Sequence, residues 1–83
     1  MEPTNDVHTG VHPAAEALLA FFTYEHLPPH LRDVSQPFCE LARSIVTPTE
    51  YDGLGLTGPE ATVALRKLLE AKDCAVRAAL PRP

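Results

Sequence analysis

From Thr62 to Leu80 apolar residues return at helical spacing, and neither glycine nor proline interrupts the run. The segment is built largely from Ala, Leu, Arg, Lys and Glu, all strong helix formers, so it predicts the longest helix of the chain. Two starts fit its upstream residues. Thr57 with Glu60 makes a capping box, and alternatively Gly58 caps a helix whose first position is Pro59. Ala61, Ala64, Leu68, Ala71, Ala75 and Ala78 repeat at 3-4-3-4-3, a coiled-coil seam made mostly of alanine. Leu65, Leu69, Val76 and Leu80 form a second stripe beside it, and together the two are wider than one partner helix requires. The remaining face carries Arg66, Lys67, Glu70, Lys72, Asp73 and Arg77, in which Arg66–Glu70 and Asp73–Arg77 are i,i+4 pairs.

A second long helix is expected from Pro29 to Val46, where Leu31, Val34, Phe38, Leu41 and Ile45 repeat at 3-4-3-4 and Cys39, Ala42 and Val46 widen the apolar side. Pro37 falls inside this pattern and predicts a kink or a restart capped by Ser35. Pro13 to Tyr24 reads as a short helix with Ala17, Leu18, Phe21 and Phe22 on one face, ended by Leu27-Pro28-Pro29. Thr47 to Gly58, with Pro48 and three glycines, reads as a loop whose Tyr51, Leu54 and Leu56 tuck against the helices. Residues 1–12 are expected to be a flexible polar segment, 13–80 a helical hairpin domain and 81–83 a tail. The expected class is all-α: a short N-terminal helix followed by an antiparallel helical hairpin.

Eighty-three residues allow one domain with a small core, and two cysteines without metal or disulfide spacing do not brace it. Cys39 and Cys74 lie on apolar helical positions and read as small buried hydrophobes, in keeping with a reducing cytoplasm. No apolar run is long enough for a membrane span, and no secretory signal is apparent. Wide apolar faces on so small a chain predict a homo-oligomer. The net charge of −4 argues against DNA or RNA as a partner but leaves room for a small anion in a local pocket. No nucleophile stands near a histidine at a diagnostic spacing, and no phosphate-cradling loop or zinc motif is present, so the chain reads as a non-enzyme without cofactor. His8 and His12 have the spacing of a helical metal pair, but Gly10 and Pro13 make a helix there unfavourable. His26 and His30 are separated by Pro28 and Pro29, and nothing nearby orients either as a general base.

The order FFTYEHLPPHLRDVSQPFCELARSIV, a loop, then TVALRKLLEAKDCAVRAAL resembles the helical-hairpin family of bacteriophage nucleotide sponges, the anti-CBASS and anti-Thoeris proteins. The resemblance spans about Phe21 to Leu80. It implies a homo-oligomer, commonly a homohexamer, acting in the host cytoplasm. Such proteins bind cyclic di- or trinucleotides, such as cyclic GMP–AMP, or cyclic ADP-ribose isomers, and sequester them without cleavage in the service of immune evasion. Gln36 departs from the pattern, standing where many relatives carry a cation.

A cyclic dinucleotide presents two flat purines and two phosphates, which call for stacking surfaces and cationic donors. Tyr24, in the F-x-Y-x-H-L element, matches the family's stacking aromatic, and His26 and Leu27 line the same turn. Lys72 and Arg77, with Arg66 behind them, are the expected phosphate ligands. Lys72 is singled out by its chemistry, because it interrupts the apolar stripe and a cation held there requires an anion. Arg32 and Arg43 are secondary candidates. Two other readings stay open: a helical module docking a host protein, and a histidine-centred hydrolase of the same nucleotides.

Overall fold

The computed structural model describes residues 13–80, and the segment containing His8 and His12 lies outside them. Among the described residues every regular element is helical, so the chain is all-α. Helix α1, Pro13–Leu19, tightens into one 3-10 turn, Ala20–Phe22. Helix α2 is Pro29–Val46, and a short 3-10 turn, Thr49–Tyr51, leads toward helix α3, Pro59–Ala79. The most heavily packed pair is α2 and α3, and α1 packs on both.

The core forms where α1 and its 3-10 turn close over the two long helices. Phe22 and Leu65 are both 0% exposed, and they sit with Ala15, Cys39, Ala42 and Ile45 in one cluster. The composition explains the packing. Ala42 and Cys39 are small and leave room on α2, and the large side chains of Phe22 and Leu65 take it up. This shifts both expected seams. On α2 the buried line is Leu31, Ser35, Cys39, Ala42 and Ile45, while Leu41 faces outward and Val34 is only half-buried. On α3 the alanine seam is split: Ala61 is buried, but Ala64, Ala71 and Ala78 are exposed, because α3 packs through Leu65.

Pro37 does not interrupt α2, which runs continuously from Pro29 to Val46. Ser35 is therefore no cap. It lies mid-helix, buried, and its hydroxyl has no hydrogen-bond partner. At the start of α3 the glycine option holds: Gly58 is the cap, at φ 89°, with Pro59 first in the helix and no side-chain capping bond from Thr57. That φ is accessible chiefly to glycine.

The 47–58 loop attaches by its backbone, not by its side chains. Leu54 donates its N–H to the Ser44 carbonyl at 2.7 Å, Leu56 to Ile45 at 2.8 Å and Gly55 to Thr47 at 2.8 Å. These bonds satisfy carbonyls that the end of α2 leaves unpaired. The Thr47 hydroxyl and N–H both go to Arg43, at 2.6 and 3.0 Å. Tyr51, Leu54 and Leu56 consequently point outward, Tyr51 at 72% exposure, contrary to the expected tucking. Pairing the backbone in this register leaves the loop's side chains on the solvent side.

Two stability outcomes follow. A Cβ on Gly53 would collide with the Thr47 carbonyl and side chain, so Gly53→Ala is expected to lower unfolding free energy by about 1–3 kcal/mol. Ser35→Ala removes an orphaned hydroxyl and is expected to stabilise by about 1 kcal/mol. Chemical denaturation of the two variants measures both changes.

Candidate functional site

The turn between α1 and α2 is held at several points. The Thr23 hydroxyl donates to the Ala20 carbonyl at 3.3 Å, ending the 3-10 turn, and Leu27 N–H closes a tight turn on the Tyr24 carbonyl at 3.0 Å. Arg32 reaches back from the first turn of α2 to the Glu25 carbonyl at 3.4 Å. Pro28 and Pro29 fix the exit, with Pro29 the first residue of α2. Phe22, buried in the core, anchors the segment from below.

This braced turn and the C-terminal half of α3 line an open cavity of about 410 Å³. Phe21, His26 and Leu27 line it from the turn, and Lys72, Val76 and Arg77 from α3, with Asp73 also at its wall. Four of the six expected site residues, His26, Leu27, Lys72 and Arg77, are thus brought together, although more than forty residues of chain separate the two groups.

The other two lie elsewhere. Tyr24 is half-buried against the core cluster and does not line the cavity. Arg66 lines a different depression, with Gly58, Pro59, Thr62 and Val63, near the start of α3. Arg43 belongs to a third groove, with Glu16 opposite, and Arg32 is engaged with the turn. Gln36 donates its amide to Glu40 at 3.0 Å.

Phe21 is the aromatic that sequence reasoning passed over as a packing residue. It is 63% exposed and lines the cavity, whereas its neighbour Phe22 is fully buried. Phe21 and Phe22 are neighbours in the 3-10 turn and so point in different directions, one to the cavity and one to the core. Nothing in the two-residue run Phe21-Phe22 announces which is which.

The electrostatics centre on Lys72. Its side chain is only 12% exposed, and its ammonium meets the Asp73 carboxylate at 3.1 Å. Among the described residues this is the ion pair that forms, and neither Arg66–Glu70 nor Asp73–Arg77 closes. Arg77 turns its guanidinium to the Cys74 sulfur at 3.4 Å, and Cys74 is exposed on the open side of α3, contrary to the expected burial that Cys39 does show. The cavity wall therefore carries two cations against one carboxylate, beside an exposed aromatic ring and an imidazole. That combination suits a flat, negatively charged molecule. Among the described residues no cluster of His, Cys, Asp or Glu has metal-binding geometry, and no helix is long and apolar enough to cross a membrane.

Comparison with protein-family models, curated proteins and solved structures finds no match to this chain.

The two phenylalanines separate cleanly in stability. Phe22→Ala is expected to cost about 3–5 kcal/mol, and Phe21→Ala to change stability by no more than about 0.5 kcal/mol. Thermal and urea unfolding of the pair checks the assignment.

Proposed function

We propose that the chain is a non-catalytic phage sponge that binds a cyclic nucleotide messenger, and that the cavity between the turn and α3 is its binding site. The observation that carries this reading is the meeting of Phe21, His26, Lys72 and Arg77 around one cavity. Lys72 and Arg77 supply donors for phosphate, Phe21 a stacking face, and Leu27 and Val76 an apolar floor for a base. Tyr24, packed on the core, supports the turn from beneath and acts through it. Arg66, distant from this cavity, has a part only if a neighbouring copy brings it to another site.

The volume supports a role for assembly. About 410 Å³ lies toward the lower end of ligand-pocket sizes, which run from about 300 to 1,000 Å³. It accommodates one base-and-phosphate half of a cyclic dinucleotide more readily than the whole ring. The second half requires another copy, so α2 and α3 act as an antiparallel hairpin that builds its complete pocket by homo-oligomerisation, with a hexamer as the family resemblance implies. A nanomolar complex needs about −12 kcal/mol, which an open depression on one small chain does not supply. Binding and assembly are then linked, and ligand stabilises the assembled form.

One observation favours a second reading. Tyr51, Leu54 and Leu56 project from the loop, exposed, as a host-protein docking module would present them.

A panel of cyclic dinucleotides, cyclic trinucleotides and cyclic ADP-ribose isomers, tested by thermal shift with chromatography of the recovered ligand, decides among the readings. A raised melting temperature with intact ligand is expected. No shift with any member removes the sponge reading, and a converted ligand makes the chain a hydrolase. Lys72→Ala is expected to weaken binding about 10- to 100-fold, the loss of a charged hydrogen bond, with the oligomer unchanged in sedimentation.

A further inference from the structure

We propose that two copies of this chain pair through the outward face of α3, running antiparallel across a two-fold axis. The inference deepens the assembly part of the proposed function, naming the surface and the register, but it does not depend on a nucleotide being the ligand.

The face consists of Glu60, Val63, Lys67, Glu70, Cys74 and Arg77, all exposed and spaced 3-4-3-4-3 along α3. Neither α1 nor α2 covers it. Its order is acid, apolar, base, acid, thiol, base, and this order is complementary to its own reverse. When a second α3 is laid antiparallel, Glu60 meets the partner's Arg77, Val63 meets the partner's Cys74, and Lys67 meets the partner's Glu70. Two-fold symmetry repeats each contact, giving four oppositely charged meetings and two apolar ones. No layer opposes like charges.

The flanks agree with the same register. On one side Ala64 falls opposite the partner's Ala71, and both are exposed, so the helix axes approach without obstruction. On the other side Arg66 falls opposite the partner's Asp73, whose side chain is half-exposed. These are the positions that flank an antiparallel coiled-coil seam, and they carry small against small and base against acid.

Part of this charge is unpaired within the chain, although Asp73 meets Lys72 and Arg77 meets the Cys74 sulfur. Arg66–Glu70 and Asp73–Arg77, which spacing alone expects to close within the helix, do not form ion pairs. Glu60, Lys67 and Glu70 likewise enter no ion pair within the described residues. An isolated surface helix normally gains a few tenths of a kcal/mol from such i,i+4 pairs. Here Arg66 and Glu70 stand without an ion-pair partner among the described residues, while Asp73 is held by Lys72.

The register has a consequence for the cavity. Arg77 belongs both to this face and to the cavity wall. With the partner's Glu60 beside it, less of its charge remains for an anion, and phosphate recognition falls chiefly to Lys72. The second copy thus reaches the rim of the site.

Charge reversal and its repair test the pairing on the full chain, by sedimentation velocity and light scattering across a concentration series. Lys67→Glu places acid against the partner's Glu70, and Glu70→Lys places base against the partner's Lys67. Each single variant is expected to weaken association about tenfold or more, since like charges meet twice. The double variant Lys67→Glu/Glu70→Lys exchanges the charges and is expected to restore association toward the parent level. All these positions are exposed, so helix content and unfolding midpoint should stay near the parent's, a control for folding. Unchanged association in both single variants overturns the proposal, as does a double variant no stronger than the singles, or a parent chain that stays monomeric throughout. Nucleotide thermal shifts on the same variants keep the two ideas apart, because ligand binding can fail while charge-swap repair succeeds, and the reverse.

Discussion

The burial of Phe22 against the small residues of α2 is the contact on which the arrangement depends. A phenylalanine with no exposed surface requires a gap of its own size, and Ala42 and Cys39 leave one beside Leu65. Filling that gap fixes the end of the 3-10 turn, and with it the height at which the following residues leave the core. His26 and Leu27 are then carried to the C-terminal half of α3, and the cavity is the space left between. Phe22 in this sense positions the cavity, and its exposed neighbour Phe21 lines it.

Backbone hydrogen bonding performs the corresponding task at the other end. A helix end must place its last carbonyls somewhere, and α2 gives those of Ser44 and Ile45 to Leu54 and Leu56 of the loop. The loop is thereby shaped by main-chain pairing, with Gly53 admitted because any side chain there would strike Thr47. Its apolar side chains face outward as a result of the pairing. Both ends of the long helices are therefore defined by segments with little regular structure.

The charged residues divide into two groups that a helical wheel alone blurs. The Lys72 side chain is mostly buried, lines the cavity and is held by its neighbour Asp73, so its ammonium is a constrained donor in the wall. Lys67, Glu70 and Glu60 stand on the open side of α3, solvated and without ion-pair partners in the described residues. A cation of the first group is suited to recognising a small anion, and charges of the second to choosing a helix partner. Arg77 lies at the border of the two.

Periodicity and punctuation placed the elements well. Proline and glycine at Pro13, Pro29, Val46-Thr47-Pro48 and Gly58-Pro59 mark helix boundaries to within a few residues, because those residue types restrict the backbone locally and need no knowledge of neighbours. Lys72 stands out chemically because it breaks an apolar stripe, and the fold places it with His26, Leu27 and Arg77 at one depression. The direction of each side chain did not follow. Tyr24 turned to the core, Phe21 and Phe22 parted, the alanine seam of α3 divided, and Ser35 was buried without a partner. In each case several local choices are nearly equal in energy, and the outcome is set by volume: large side chains go where small ones on another element leave space, a relation between distant residues that only the folded packing fixes.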